Sequence, residues 1–195
     1  GGGINAITKS GTNDIRGSAF FFTRDQDLVG TGIDDRPIAT FSDKQFGGSV
    51  GGPMVRNRAF FFGNADWGRK DTPSGFSIDG ASGVSFGREA EAQRFRDILQ
   101  SRYGYDPGGF EEFIRETKSN KLFVRTDFNV SSGHQLTVRH NYVDALNDVG
   151  TQSNTTYNFP DNFYRFNSET HTTVGQLNSN FGAMVNEFRF TAQRV

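Results

Sequence analysis

Apolar and polar positions alternate along much of this chain with a period of two. In Lys121–Val130 the residues Leu122, Val124, Thr126, Phe128 and Val130 fall on one side; Lys121, Phe123, Arg125, Asp127 and Asn129 fall on the other. The short turn Ser131–Gly133 follows, and the alternation resumes with Leu136, Val138, His140 and Tyr142 against Gln135, Thr137, Arg139 and Asn141. This predicts a hairpin whose strands approach the ~9–11 residues that cross a bilayer at a tilt. The same reading gives strands over Gly17–Arg24, Lys44–Met54, Ala59–Arg69, Glu169–Asn180 and Val185–Val195, seven in all. The strand at Glu169–Asn180 is the least clearly marked of the seven.

The connections carry as much information as the strands. Arg56–Arg58, Ser131–Gly133 and Phe181–Ala183 are tight, whereas 25–43, 70–119 and 145–165 are long. Tight and long alternate, so all tight turns fall at one end of the sheet and all long loops at the other. Outer-membrane barrels sort their connections in this way, with short periplasmic turns and long extracellular loops. A helix is expected in the longest loop, within Gly87–Gly104, with Phe95, Ile98, Leu99 and Arg102 on one face and Gly104 as its stop. That face is expected to pack the loop onto its neighbours, with the binding of a partner as the competing role. The predicted fold class is therefore all-β, antiparallel up-and-down strands of a transmembrane β-barrel, with one helix in a long extracellular loop.

Composition narrows the function classes. The chain of 195 residues has 24 Gly and 21 Phe, no Cys and a formal net charge of -1. Abundant phenylalanine and glycine suit membrane-spanning strands, whose aromatics cluster at both bilayer interfaces. The charge gives no reason to expect nucleic acid as a partner. Without cysteine there is no thiol nucleophile and no thiolate metal site. With a mean hydropathy of -0.59, no apolar run approaches the ~20 residues of a membrane helix.

Motif matches with chemical meaning fail on context. Gly1–Ala6 fits G-x-G-x-x-A, but the turn-rich Thr8–Asn13 follows where a dinucleotide site needs a helix. Gly47–Gly51 fits G-x-S-x-G, but Gly52-Pro53 follows where a nucleophile elbow needs a helix. A glycine-rich strand passing close to another body explains it better. His134, His140 and His171 lack partners at metal-ligand spacing, and the acids of the first long loop lack a spaced calcium loop. Neither an enzyme nor a cofactor is expected.

The opening stretch GGGINAITKSGTND resembles the end of the plug domain in TonB-dependent outer-membrane receptors, where a G-G-x-I-N-x-x-T-K strand precedes barrel strand one. Gly2, Gly3, Ile4, Asn5, Ile7, Thr8 and Lys9 match, with Ala6 where a larger aliphatic is more usual. SGTNDIRGSAFFFTRDQ and KQFGGSVGGPMVRNRAFFFGNADWGR, together with the later VNEFRF, resemble strands of the Oar-like branch. The resemblance covers 1–69 by motif and 119–195 in pattern. It implies that 1–16 is the C-terminal end of a plug and 17–195 the N-terminal part of a barrel. Most of the plug would lie upstream and further strands downstream, since plugged transporters have about 22.

By the same resemblance, the whole molecule sits in the outer membrane of a Gram-negative bacterium and binds a ligand at its extracellular loops. It admits that ligand past a plug moved by the TonB energy-coupling complex, which is reached through the upstream region. The partners expected are thus that complex, the lipid bilayer and an extracellular ligand. Trp67 and Arg69, an aromatic beside a cation at a strand end, are candidates for a sugar or peptide ligand; bilayer anchoring is the competing role for Trp67. Arg125, Asp127, Arg139, Glu187 and Arg189, opposite the apolar residues of their strands, are candidates for lumen or plug contacts. Two other readings stay open: an adhesion or assembly protein that uses the barrel as an anchor, and a soluble all-β binding domain.

Overall fold

A computed structural model describes residues 8–30, 40–78, 88–150 and 156–195. It holds a single antiparallel sheet of seven strands in chain order: β1 Arg16–Asp25, β2 Ser42–Val55, β3 Ala59–Pro73, β4 Ile114–Ser131, β5 His134–Val149, β6 Tyr164–Asn180 and β7 Val185–Arg194. Each strand pairs with its sequence neighbour, so the fold is up-and-down throughout. The tight connections 56–58, 132–133 and 181–184 lie at one end, and the long ones at the other. At the first turn Asn57 takes a left-handed backbone (φ 63) that asparagine tolerates better than most residues.

The strands run further toward the long loops than alternation predicts. β4 starts at Ile114 and β6 at Tyr164, so the loops contract to 26–41, 74–113 and 150–163. Alternation registers only where one face meets an apolar medium. The outer segments IRETKSN and YRFNSET are polar on most positions, yet their backbones pair as regularly as the rest. At 18 residues, β4 exceeds the ~9–11 that a tilted crossing needs.

Directly paired residues share a face, so the register sorts every side chain. One face carries Ala59, Phe61, Gly63, Ala65 and Trp67 on β3; Leu122, Val124, Thr126 and Phe128 on β4; and Leu136, Val138, His140 and Tyr142 on β5. From Ala59 to Trp67 this apolar band runs roughly 26 Å along the strand at ~3.3 Å per residue, close to the ~25 Å lipid band of outer-membrane barrels once tilt is allowed for. The other face, at the same heights, mixes polar side chains with aromatics, holding Ser49, Asn64, Arg125, Arg139, Asn141 and Thr172 beside Phe20, Phe62 and Phe123. The first face is the lipid face and the second lines the lumen.

The glycines of GGSVGG serve close packing. Gly47 and Gly51 face the lumen directly opposite Phe20 and Phe62. A Cβ on Gly47 would stand 2.8 Å from Cζ of Phe20, and one on Gly51 would stand 3.0 Å from Cδ2 of Phe62. The aromatic rings lie over the bare backbone, which makes up for the apolar surface the glycines lack.

The helix, α1, spans Glu89–Tyr103. Gly104 ends it in the left-handed conformation (φ 64), its N–H on the Gln100 carbonyl and the Tyr105 N–H on that of Leu99. As expected, its apolar face packs the loop onto a neighbour: Phe95 stacks on Phe159 of the β5–β6 loop, ring centroids 5.9 Å apart.

Candidate functional site

Inside the lumen, the chain before β1 crosses the sheet. Asn13 and Asn57 exchange two bonds, Asn13 Nδ2 donating to Asn57 Oδ1 at 2.6 Å and the Asn57 N–H donating to Asn13 Oδ1 at 2.8 Å. This pins the segment to the β2–β3 turn. It then passes over β2 and β3, where Gly11 lies so close to the backbone that a Cβ would meet the Phe61 carbonyl oxygen. Only a glycine passes there. The segment reaches β4 at Thr8.

Arg125 holds that end. Its Nη1 donates to the Thr8 carbonyl oxygen at 2.8 Å and to Thr8 Oγ1 at 2.7 Å. Its Nε and Nη2 donate to the Asp127 carboxylate at 2.8–3.1 Å, and Thr137 Oγ1 donates to the same carboxylate at 2.7 Å. Arg125 and Asp127 are two apart on β4 and so share a face, and Thr137 is paired with Asp127 across β5. Asp127 is buried, only 3% exposed. Its charge is matched by the guanidinium, which a planar fork can do while its other end reaches a second partner.

The remaining lumen candidates are less engaged. Arg139 stands directly opposite Arg125, so like charges meet across the strands and Asp127 offsets them. Glu187 and Arg189 form an exposed ion pair at 2.8 Å on β7. Of the plug-end motif, Gly2, Gly3, Ile4 and Asn5 lie outside the described residues; Lys9 is exposed beside the held Thr8.

Trp67 and Arg69 stand on the lipid face. Phe21, Phe46 and Trp67 form one lateral row across β1–β3, the last two stacked with ring centroids 5.3 Å apart. Such a row at the outer limit of an apolar band is an interfacial aromatic belt. Arg69 lies one pleat above it. Its guanidinium reaches down to the Gly68 carbonyl at 2.7 Å and to Asn120 Oδ1 at 2.7 Å.

A third site lies among the outer loops and was only half legible in the sequence. The helix and the β5–β6 loop flank an open cleft of about 720 Å³ lined by Phe95, Leu99, Tyr105, Pro107, Tyr157 and Phe159 together with Arg88, Glu91 and Asp161. Its volume falls in the range of small-molecule sites. The two loops are tied by the Asp161 N–H on the Pro107 carbonyl at 3.3 Å and by Phe113 against Phe163, centroids 4.2 Å apart. Arg96 packs over the Phe110 ring and donates to Asp106 at 3.2 and 3.3 Å. That bond, with a second from the Gly108 N–H, holds the Asp106 carboxyl below the usual carboxylate range. Helical spacing pointed to Phe95 and Leu99; nothing local marks Tyr157 or Phe159, which become partners only because two loops meet.

Among the described residues, no group of three His, Asp or Glu side chains is arranged to hold a metal ion. No helix there is long and apolar enough to cross a membrane. Residues 7–78 match a family model described as an outer membrane beta barrel domain, a span that takes in β1, β2 and β3. Lipid face, sorted loops and this match agree. The protein is an outer-membrane β-barrel protein. It resides in the outer membrane of a Gram-negative bacterium. Neither a curated protein nor a solved structure matches the chain.

Proposed function

We propose that this barrel belongs to a TonB-dependent receptor of the Oar-like type, which binds an extracellular ligand at its outer loops and imports it past a plug. The observation that carries the reading is the grip of Arg125 on Thr8. Thr8 belongs to the T-K pair of the plug-end motif, and the segment it begins runs along the lumen face to the base of β1. A link from a plug to a first barrel strand would take that route. The loop cavity supplies a site of suitable size and aromatic lining for the ligand. No reaction chemistry is assigned; the energy would come through the TonB complex.

The test is binding of the periplasmic domain of TonB to the full-length protein purified from outer membranes. A specific complex, lost on deletion of the N-terminal region that precedes the barrel strands, supports the receptor. No complex at any concentration up to ~100 μM sinks it and leaves a barrel used as an anchor for adhesion or assembly.

A further inference from the structure

On the inner face, the long-loop end of the sheet carries charge out of balance. One row runs Arg24, Asp43, Lys70, Thr117 and Asn147 across β1–β5, and the pair Thr72 and Arg115 stands one pleat above it on β3 and β4. Asp43 is taken, its carboxylate 3.5 Å from Arg24. Asp71, Glu116 and Asp148 neighbour these positions in sequence and so belong to the opposite face. There Glu116 binds Lys118 and Asp148 binds Arg165. Glu112, before β4, accepts from the Gly75 N–H at 2.7 Å. Among the described residues, neither Lys70 nor Arg115 forms an ion pair with any of them.

Lys70 and Arg115 are diagonal neighbours on adjacent strands, roughly 7–8 Å apart at the backbone. Both line a polar cleft of about 380 Å³ with Thr72, Thr117 and Asn147. The cleft is rich in donors. Thr117 Oγ1 donates to Asn147 Oδ1 at 2.9 Å, which leaves the amide nitrogen of Asn147 to donate elsewhere. Arg115 Nε is shut off from solvent and has no hydrogen-bond partner. A desolvated donor without an acceptor costs stability, and a second cation beside it adds to the cost. We propose that Lys70 and Arg115 seat an oxyanion, the phosphate or carboxylate group of a solute in the mouth of the barrel. An oxyanion on the Nε edge of Arg115 would repeat a contact this sheet already makes, where Arg165 Nε and Nη2 donate to Asp148 at 2.7 and 3.0 Å. Lys70 adds a point charge from the next strand. Water cannot take this part: it brings no charge against two cations. The inference rests on the assignment of the inner face and not on the receptor reading.

The experiment is isothermal titration calorimetry of the full-length protein in neutral detergent, with two probes: inorganic pyrophosphate and the tricarboxylate tricarballylate. At least one should bind saturably with a Kd below ~1 mM. Binding of pyrophosphate alone would assign the seat to phosphate groups, and binding of tricarballylate alone to carboxylates. Lys70→Gln/Arg115→Gln should weaken the bound probe about tenfold or more, since it removes both charge-assisted partners. Lys44→Gln/Lys118→Gln removes the same charge from the opposite face of the same strands and should leave binding unchanged. Folding of each variant is checked by heat-dependent gel mobility. Failure of the folded parent protein to bind either probe up to ~10 mM would overturn the proposal without recourse to any variant. Equal weakening by the two double variants would overturn it as well, because the effect would then be one of net charge and not of a site.

Discussion

At Arg125 one side chain settles two obligations. It neutralises the buried Asp127 and it fixes Thr8, and the two are coupled because a single guanidinium serves both. Replacing it by methionine keeps the stem and removes the charge, leaving the Asp127 carboxylate with only Thr137. Breaking a buried pair from one side costs about 3–5 kcal/mol, and Arg125→Met should fall near the lower end because the guanidinium is partly exposed. Arg125→Met/Asp127→Asn should recover much of the loss. Urea unfolding of the barrel in detergent measures both, and a near-additive double variant would contradict the coupling. The glycines make a second residue-scale prediction. Gly47→Val drives a branched side chain into Phe20 and the Ala65 carbonyl and should destabilise by about 1–3 kcal/mol. Gly175→Ala, with nothing within 4 Å of its new Cβ, should stay within ~0.5 kcal/mol of the parent in the same assay. The sequence showed Arg125 and Asp127 on the polar side of a strand, because a period of two needs no partner to be read. The Thr8 end of the network spans 117 residues of sequence and leaves no local pattern.

At the level of elements, the centres of the strands were legible and their outer ends were not. Hydrophobic alternation is a record of two different solvents on two faces; above the aromatic belt both faces meet water and the record stops. Pairing does not stop, since each strand continues to satisfy its neighbour's backbone groups. The helix was legible for the opposite reason, its signals being local: an apolar spacing and the glycine that ends it. The ion pair between Arg96 and Asp106, outside the membrane, ties the helix to the segment that follows it. The Asp106 carboxyl titrates lower in the folded protein than in an unfolded chain. The contact is therefore present above the ordinary carboxylate value and is lost as pH falls through the depressed one. Pepsin at pH 4.5 should leave the helix region of the parent intact and at pH 2 should cut it. Asp106→Asn should be cut readily at both. A parent equally resistant at pH 2 would show that the aromatic contacts hold the helix without the ion pair.

For the whole molecule, the assignment of faces decides everything that has been argued about function, and one pair of substitutions tests it. Val124 and Asn141 lie on adjacent strands at nearly the same height, since Val124 pairs with His140 and Phe123 with Asn141. If the apolar band meets lipid, Val124→Arg puts a charge close to the middle of the bilayer, at a cost of about 2–4 kcal/mol. Asn141→Arg puts the same charge into the lumen beside other polar groups and should change stability by less than ~1 kcal/mol. Folding of the full-length protein into lipid vesicles, followed by heat-dependent gel mobility across a urea series, compares the two at equal composition. Equal losses would mean that the faces have been misassigned, and with them the inward direction of Arg125 and the outward direction of Lys44 and Arg69. A large loss for Val124→Arg alone would fix both at once. The grip on Thr8 then acts inside the pore.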